Sequence, residues 1–237
     1  MMKKIAIPAM AATTGLVALL AFSQTHAATP EKTLSSDDER EAYSLGVVVA
    51  TQARVGFGEM DQEAFLAGFS DALGEKSLSL NEDEISEALG RFDTRRAEEA
   101  RLAFEARVEA NRGAGDAFRA DFAQDPEVEV LASGLHYKVL KAGQGEKPAP
   151  DSTVTLHYRG SLVDGREIDS SYGRTEPVTV QLDRAIPGWS EALTHMTVGS
   201  KWKIVLPPEL AYGEFGAGEL IEPGSTVIFE VELISTS

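Results

Sequence analysis

The chain has 237 residues, enough for one large domain or two small ones, and 43% of them are hydrophobic, so a sizeable core can form. A formal charge of −16 describes a solvated acidic surface that repels phosphate backbones and excludes nucleic acid as an expected partner. There is no cysteine, which excludes a disulfide framework, a thiol nucleophile, a zinc–thiolate site and lipidation of a cysteine at a signal cleavage site.

Residues 1–27 read as a signal peptide. "MMKK" is a basic start, "IAIPAMAATTGLVALLAF" is uncharged, and "SQTHA" ends on a small residue. The alternative is a retained membrane anchor, since the apolar run is about long enough to span a bilayer. Its many small residues favour cleavage near Ala27, leaving no stable membrane anchor. An exported, unanchored, disulfide-free protein fits a bacterial periplasm.

Residues 28–80 are expected to form a helical module. After a short lead-in, "DDEREAYSLGVVVATQA" begins with acids and places Tyr43, Val47 and Ala50 at helical spacing. "DQEAFLAGFSDALG" puts Phe65, Leu66, Phe69 and Leu73 on one face and stops at Gly74. Two short helices cannot close a core by themselves. Their apolar faces call for a second copy of the chain or for contact with the C-terminal half, and the homodimer is the simpler reading.

Residues 81–125 read as one long helix. Asn81 is the candidate N-cap, Glu84 stands where it can reach back, and Leu80 and Ile85 have the spacing of a hydrophobic staple. "RFDTRRAEEARLAFEARVEANR" is rich in opposite charges three or four residues apart and poor in large apolar residues. That composition predicts a solvated helix bridging two parts of the molecule. Gly113 and Gly115 weaken it and mark a candidate break.

From residue 126 to 237 the rhythm changes to strands. "GLHYKVLKAG", "STVTLHYRGSLVDGREID", "PVTVQL", "KWKIVLP" and "STVIFEVELIS" supply about five, with a turn at Asp164–Gly165. One short helix, "GWSEALTHM", interrupts them. The fold class is α+β: an antiparallel sheet wrapped on a short helix, joined by the long helix to an all-α N-terminal module.

Most chemistry is missing. His26, His136, His157 and His195 show no metal-ligand spacing, and His157 alternates to the face opposite Tyr158, so it is expected to be exposed. No hydrolase motif or phosphate loop is present. No metal and no cofactor is expected. What remains is a group of large side chains beside turns: Tyr158, Ile168, Asp169, Val178, Ile186, Trp189, Tyr212, Ile221 and Phe229. A sheet on a helix needs such residues as core. Yet "IPGW", "AYG" and "IDSS" place them at turns, where they shape sites.

"VTLHYRGSLVDGREIDSSY", "AIPGWSEAL", "LPPELAYG" and "PGSTVIFEVELI" resemble, in order and spacing, the FKBP family of peptidyl-prolyl cis–trans isomerases over roughly residues 130–235. The N-terminal half, with "SGLHYKVLKAG" at the junction, resembles the macrophage infectivity potentiator and its periplasmic chaperone relatives. The resemblance implies a homodimer through the N-terminal helices and unfolded or proline-containing polypeptides as substrates, with macrolides as inhibitors. It also implies roles. Tyr158, Asp169 and Tyr212 are the catalytic candidates, with the Tyr212 hydroxyl donating to ligand. Ile186 offers a backbone N–H, Trp189 is the pocket floor, and Ile168, Val178, Ile221 and Phe229 are apolar wall. Ile168 stands where the family usually has Phe, as does Val178, and the loop "EFGAGELIEPG" is unusually acidic. The expected activity is proline isomerisation that accelerates folding of exported proteins, with a holdase function beside it. The alternative is a non-catalytic peptide-binding or chaperone module on the same fold, for which Ile168 is the argument.

Overall fold

Helix α1 (Asp37–Phe57) starts at a capping box, with Ser36 accepting from the Glu39 N–H and Glu39 reaching back to the Ser36 N–H. The computed structural model describes residues 33–174 and 176–237, so the expected signal peptide at 1–27 lies outside the described residues. The chain divides into two compact units, one ending at Ser79 and one spanning Leu80–Ser237.

In the first unit, α1 is followed by α2 (Gln62–Leu73), which is capped by Asp61 accepting from the Ala64 N–H at 2.9 Å. Their packing leaves most of their apolar surface in solvent. Only Ala53 is buried in α1 and nothing is buried in α2, while Val55 is 77% and Leu73 71% exposed. The apolar faces expected at Val47, Leu66, Phe69 and Leu73 therefore exist and lack a cover within this unit.

The second unit opens with α3 (Glu82–Phe122). Asn81 and Glu84 form the expected capping box, with both bonds at 2.9 Å. Ion pairs lace the exposed first part, among them Arg91–Glu87 and Arg101 between Glu98 and Glu105. Two expectations need correction. The helix runs unbroken through Gly113 and Gly115, and its last third is docked rather than solvated. A Cβ on Gly115 would lie 2.2 Å from Oγ1 of Thr226, so glycine is there to permit close approach. Around it Arg119 donates to the Thr226 hydroxyl, Asn111 Nδ2 donates to the Pro223 carbonyl at 2.8 Å, and Arg112 pairs with Glu209 at 2.5 Å.

Seven strands follow: β1 (Val128–Val130), β2 (His136–Lys141), β3 (Thr153–Leu162), β4 (Glu167–Ser170), β5 (Val178–Gln181), β6 (Lys201–Leu206) and β7 (Val227–Thr236). All pairings are antiparallel, in the order β1-β2-β6-β7-β3, and the outer edge of β3 is shared by β5 along its first half and β4 along its second. Period-2 alternation sends Val154, Leu156, Tyr158 and Leu162 of β3, and Val227, Phe229, Val231 and Leu233 of β7, to one face. Helix α4 (Pro187–His195) lies against that face and buries Trp189, Ala192 and Leu193. A Leu, Val or Phe side chain fully removed from water in this core contributes about 1.5–3 kcal/mol. The reverse face carries Val205 and Ile228, a cross-strand pair, with Phe118 of α3 beside Ile228 and the Phe122 ring 5.5 Å from Nζ of Lys203.

Candidate active site

The start of α4 explains the run Ile186-Pro187-Gly188-Trp189. Pro187 occupies the first helical turn, where its missing N–H costs nothing. A Cβ on Gly188 would lie 2.6 Å from Cδ2 of Leu206, so only glycine lets the helix start settle this close to β6. Trp189 is thereby set into the core end of a cleft, 7% exposed. Its ring meets Tyr158 edge-on at 5.1 Å and Phe229 at 5.2 Å.

The cleft has a volume of about 240 Å³. That is below the roughly 300–1,000 Å³ of pockets for drug-sized ligands and suits one side chain of a larger molecule. Eight of the nine residues singled out in the sequence line it: Tyr158 from β3, Ile168 and Asp169 from β4, Ile186 from the turn before α4, Trp189, Tyr212 and Ile221 from the two ends of a loop, and Phe229 from β7. Val178 does not. It packs against the core opposite Leu156, and Val180, two residues on along the same face of β5, lines the cleft with Ala185. Period-2 spacing identifies the face but not which of its two valines reaches the cleft.

One wall is polar. The Tyr158 hydroxyl donates to Oδ2 of Asp169. Arg174 donates to the Tyr158 oxygen at 2.8 Å and pairs with Oδ1 of Asp169 at 3.2 Å. The Ser170 N–H donates to Asp169 Oδ1 at 2.8 Å. Burial pushes the Asp169 carboxyl up, but the Tyr158 hydroxyl, the Ser170 N–H and Arg174 together outweigh it and hold the group below the usual carboxylate range. Burial pushes both the Tyr158 and Tyr212 hydroxyls up, helped at Tyr158 by its hydrogen bond to Asp169, which outweighs Arg174, and at Tyr212 by the Asp169 charge, so both stay protonated. Arg174 is the member of this cluster that sequence reasoning missed; its only signal is a lone basic residue five positions after Asp169.

Two donors lining the cleft lack a partner among the described residues, the backbone N–H of Ile186 and the hydroxyl of Tyr212, and the indole N–H of Trp189 at its floor is buried without one. Buried donors are normally paired, so this clustering marks a place for an acceptor-bearing ligand. His157 is half-buried rather than exposed. Its Nδ1 lies 2.9 Å from Oγ of Ser171 and its ring stacks on Tyr172 at 4.9 Å, which ties β3 to the turn after β4 from outside the cleft. No group of three or more acidic or histidine side chains among the described residues is placed to hold a metal ion.

The sequence matches the family described as FKBP-type peptidyl-prolyl cis-trans isomerase over residues 144–234, and the domain amino terminal to FKBP-type peptidyl-prolyl isomerase over residues 38–139. It is 38% identical over 216 residues to the FKBP-type peptidyl-prolyl cis-trans isomerase FkpA of Escherichia coli K12, covering 88% of this chain and 79% of the relative. It is 38% identical over 234 residues to the peptidyl-prolyl cis-trans isomerase Mip of Coxiella burnetii, covering 99% of this chain and 98% of the relative. The crystal structure of FkpA from Escherichia coli superposes with a TM-score of 0.77 at 37% identity, over 86% of this chain and 99% of that one. With its cleft, its helical N-terminal unit and these relatives, the chain belongs to the FKBP-type peptidyl-prolyl cis–trans isomerases.

Proposed function

We propose that the protein works as an exported, homodimeric folding factor whose clefts turn X–Pro bonds in unfolded polypeptides. The observation that carries the reading is the apolar cleft floored by Trp189, with the Ile186 N–H and the Tyr212 hydroxyl free to receive carbonyl oxygens. A proline ring seats against Trp189, between the walls formed by Tyr158, Ile168, Ile221 and Phe229.

Rotation about the X–Pro bond is opposed by amide resonance, with a barrier of about 18–20 kcal/mol. The planar amide is the more polar form, and water stabilises it. Inside an apolar cleft that preferential solvation is lost, so the twisted and less polar amide gains relative to the planar one. Donors at Ile186 and Tyr212 hold the flanking peptide while the bond turns. No proton is transferred, so Asp169 acts as a positioning residue that fixes Tyr158 rather than as an acid or base.

The dimer reading is supported by the uncovered apolar faces of α1 and α2, which a second copy is suited to cover. Export is supported by the signal-like order of residues 1–27 and by a relative from Legionella longbeachae, 35% identical over 216 residues, that is named an outer membrane protein. No helix among the described residues is long and apolar enough to cross a membrane. The holdase function fits a dimer that offers one client two clefts, and macrolides are expected ligands of the same cleft.

A protease-coupled assay on a short neutral proline peptide tests the catalytic part. Acceleration over the uncatalysed rate, abolished with Trp189→Ala, is the expected result. Binding of the peptide without acceleration would leave a non-catalytic binding module instead.

A further inference from the structure

Tyr212 and Ile221 line the cleft from opposite ends of one loop, and residues 213–220 run between them. That loop carries two carboxylates, Glu214 and Glu219, and no basic residue. Three other carboxylates beside the cleft have basic partners. Asp169 has Arg174 at 3.2 Å, Glu167 has Arg159 at 3.3 Å, and Glu222 has Arg166 at 3.7 Å. Glu214 and Glu219 are exposed and neither has an ion-pair partner among the described residues. Arg112 feels the Glu214 charge, but its guanidinium is engaged by Glu209 at 2.5 Å.

Position makes these charges count. Two steps of about 3.8 Å separate the Glu214 Cα from that of Tyr212, and the same holds for Glu219 and Ile221, so each backbone position lies within roughly 7.6 Å of a cleft residue. That is inside the ~10 Å screening length at 0.1 M salt. Beside Glu214, Phe215 is 80% exposed, with its ring 5.9 Å from that of Phe104 on α3. An exposed aromatic face next to an unpaired carboxylate suits the aliphatic stem and charged head of a long cationic side chain. The cleft that the loop borders is itself marked for a ligand by the Ile186 N–H and the Tyr212 hydroxyl, which have no partner among the described residues.

We propose that residues 213–220 form an accessory binding surface continuous with the cleft, one that selects polypeptide segments carrying lysine or arginine two or three residues from the proline. An extended chain advances about 3.3–3.6 Å per residue, so a side chain two or three positions from a proline seated on Trp189 lies about 7–11 Å away, a distance at which it can reach this loop. The inference rests on the isomerase reading of the cleft and adds its substrate class.

The test uses the full chain and three proline peptides that differ at one position three residues from the proline: lysine, glutamine or glutamate. At about 20 mM salt, kcat/KM is expected to fall in that order, with roughly a three- to tenfold spread between lysine and glutamate, the size that a pair of exposed charges supports. The spread should shrink toward one at 0.5 M salt. It should shrink likewise in the double variant Glu214→Gln/Glu219→Gln at low salt, while the glutamine peptide turns over as before. Equal rates for the lysine and glutamate peptides in the unaltered protein overturn the proposal alone. A spread that survives in the double variant also overturns it, because the selection would then come from the overall negative charge. Absence of turnover with the glutamine peptide removes the isomerase reading and the proposal with it.

Discussion

The hydroxyl of Tyr158 and the carboxylate of Asp169 face each other across the polar wall of the cleft, the phenol donating to Oδ2. Arg174 contacts both and completes a three-residue cluster. The ring of Tyr158 is simultaneously an edge-on neighbour of Trp189. On the proposed reading of the cleft, Asp169 acts by orienting the aromatic wall through Tyr158.

Asp169→Ala is therefore expected to slow isomerisation more than it destabilises the fold. Hydrogen bonds to a charged group are worth about 1.5–3 kcal/mol, which at about 1.4 kcal/mol per decade corresponds to roughly a tenfold to hundredfold loss of rate. The carboxylate is about half exposed, so the thermal midpoint should move little. Tyr212→Phe should behave alike, since it deletes a donor that has no structural partner. Trp189→Ala should differ, costing about 3–5 kcal/mol of stability along with the activity. An unchanged rate in Asp169→Ala would remove the positioning role.

The pH profile follows from the same groups. Asp169 is held below the usual carboxylate range in the folded state, so the stability it contributes is fully present above its unfolded value, about pH 4, and is lost as pH falls through the lower folded value. Tyr158 and Tyr212 are raised above about 10, so their contribution is present below that value and is lost only as pH rises through the higher folded values. No group of the cluster changes charge in between. The rate of isomerisation should be flat from about pH 5 to 9. A bell-shaped profile centred near neutrality would instead require a titrating acid or base in the mechanism.

Much of this is legible in the sequence because it is local. The capping box at Asn81, the alternation along β3, the turn at Asp164–Gly165 and the entry of α4 at Pro187 each depend on residues a few positions apart. The match of the cleft residues to a known family supplies what spacing alone does not, since Trp189 and Phe229 read equally well as core. Besides Arg174 and the half-buried His157, three features escape for physical reasons. Strand β1 has three residues, too few to show alternation. Val178 and Val180 share a face, and only the course of the backbone decides which borders the cleft. The docking of α3 depends on Gly115 meeting Thr226, residues far apart in the chain, and a glycine in a charged helix reads as a weakness unless its distant neighbour is known.

Those two helix glycines make opposite predictions. Gly113 has nothing within 4 Å of where a Cβ would stand, so Gly113→Ala should stabilise α3 by about 1 kcal/mol through helix propensity. Gly115→Ala gains the same local term but drives a methyl group into Thr226, and must lift α3 from the sheet or displace the Arg119–Thr226 contact. A net loss of about 1–3 kcal/mol is expected from overpacking. Thermal midpoints and hydrogen exchange along residues 105–122 decide it. Similar gains from both substitutions would mean that the contact with Thr226 is not maintained in solution.

The division of the chain sets the last prediction. The unit Leu80–Ser237 contains the sheet, α4 and the docked helix, and so should fold alone as a monomer that isomerises short peptides. The full chain should be a dimer, because only there do α1 and α2 present apolar faces that no residue of their own unit covers. A fragment starting at residue 128 should also fold, since the main core lies wholly within it. It loses the Asn111, Arg112 and Arg119 contacts to Pro223, Glu209 and Thr226, however, and uncovers the reverse face of the sheet. At about 1 kcal/mol per hydrogen bond, it should be about 2–3 kcal/mol less stable than the longer fragment. Light scattering and denaturant titration of the three chains provide the measurement. A monomeric full chain would defeat the dimer reading, a dimeric 80–237 fragment would move the interface away from α1 and α2, and equal stability of the two fragments would show that the docked end of α3 adds nothing to the sheet that carries the cleft.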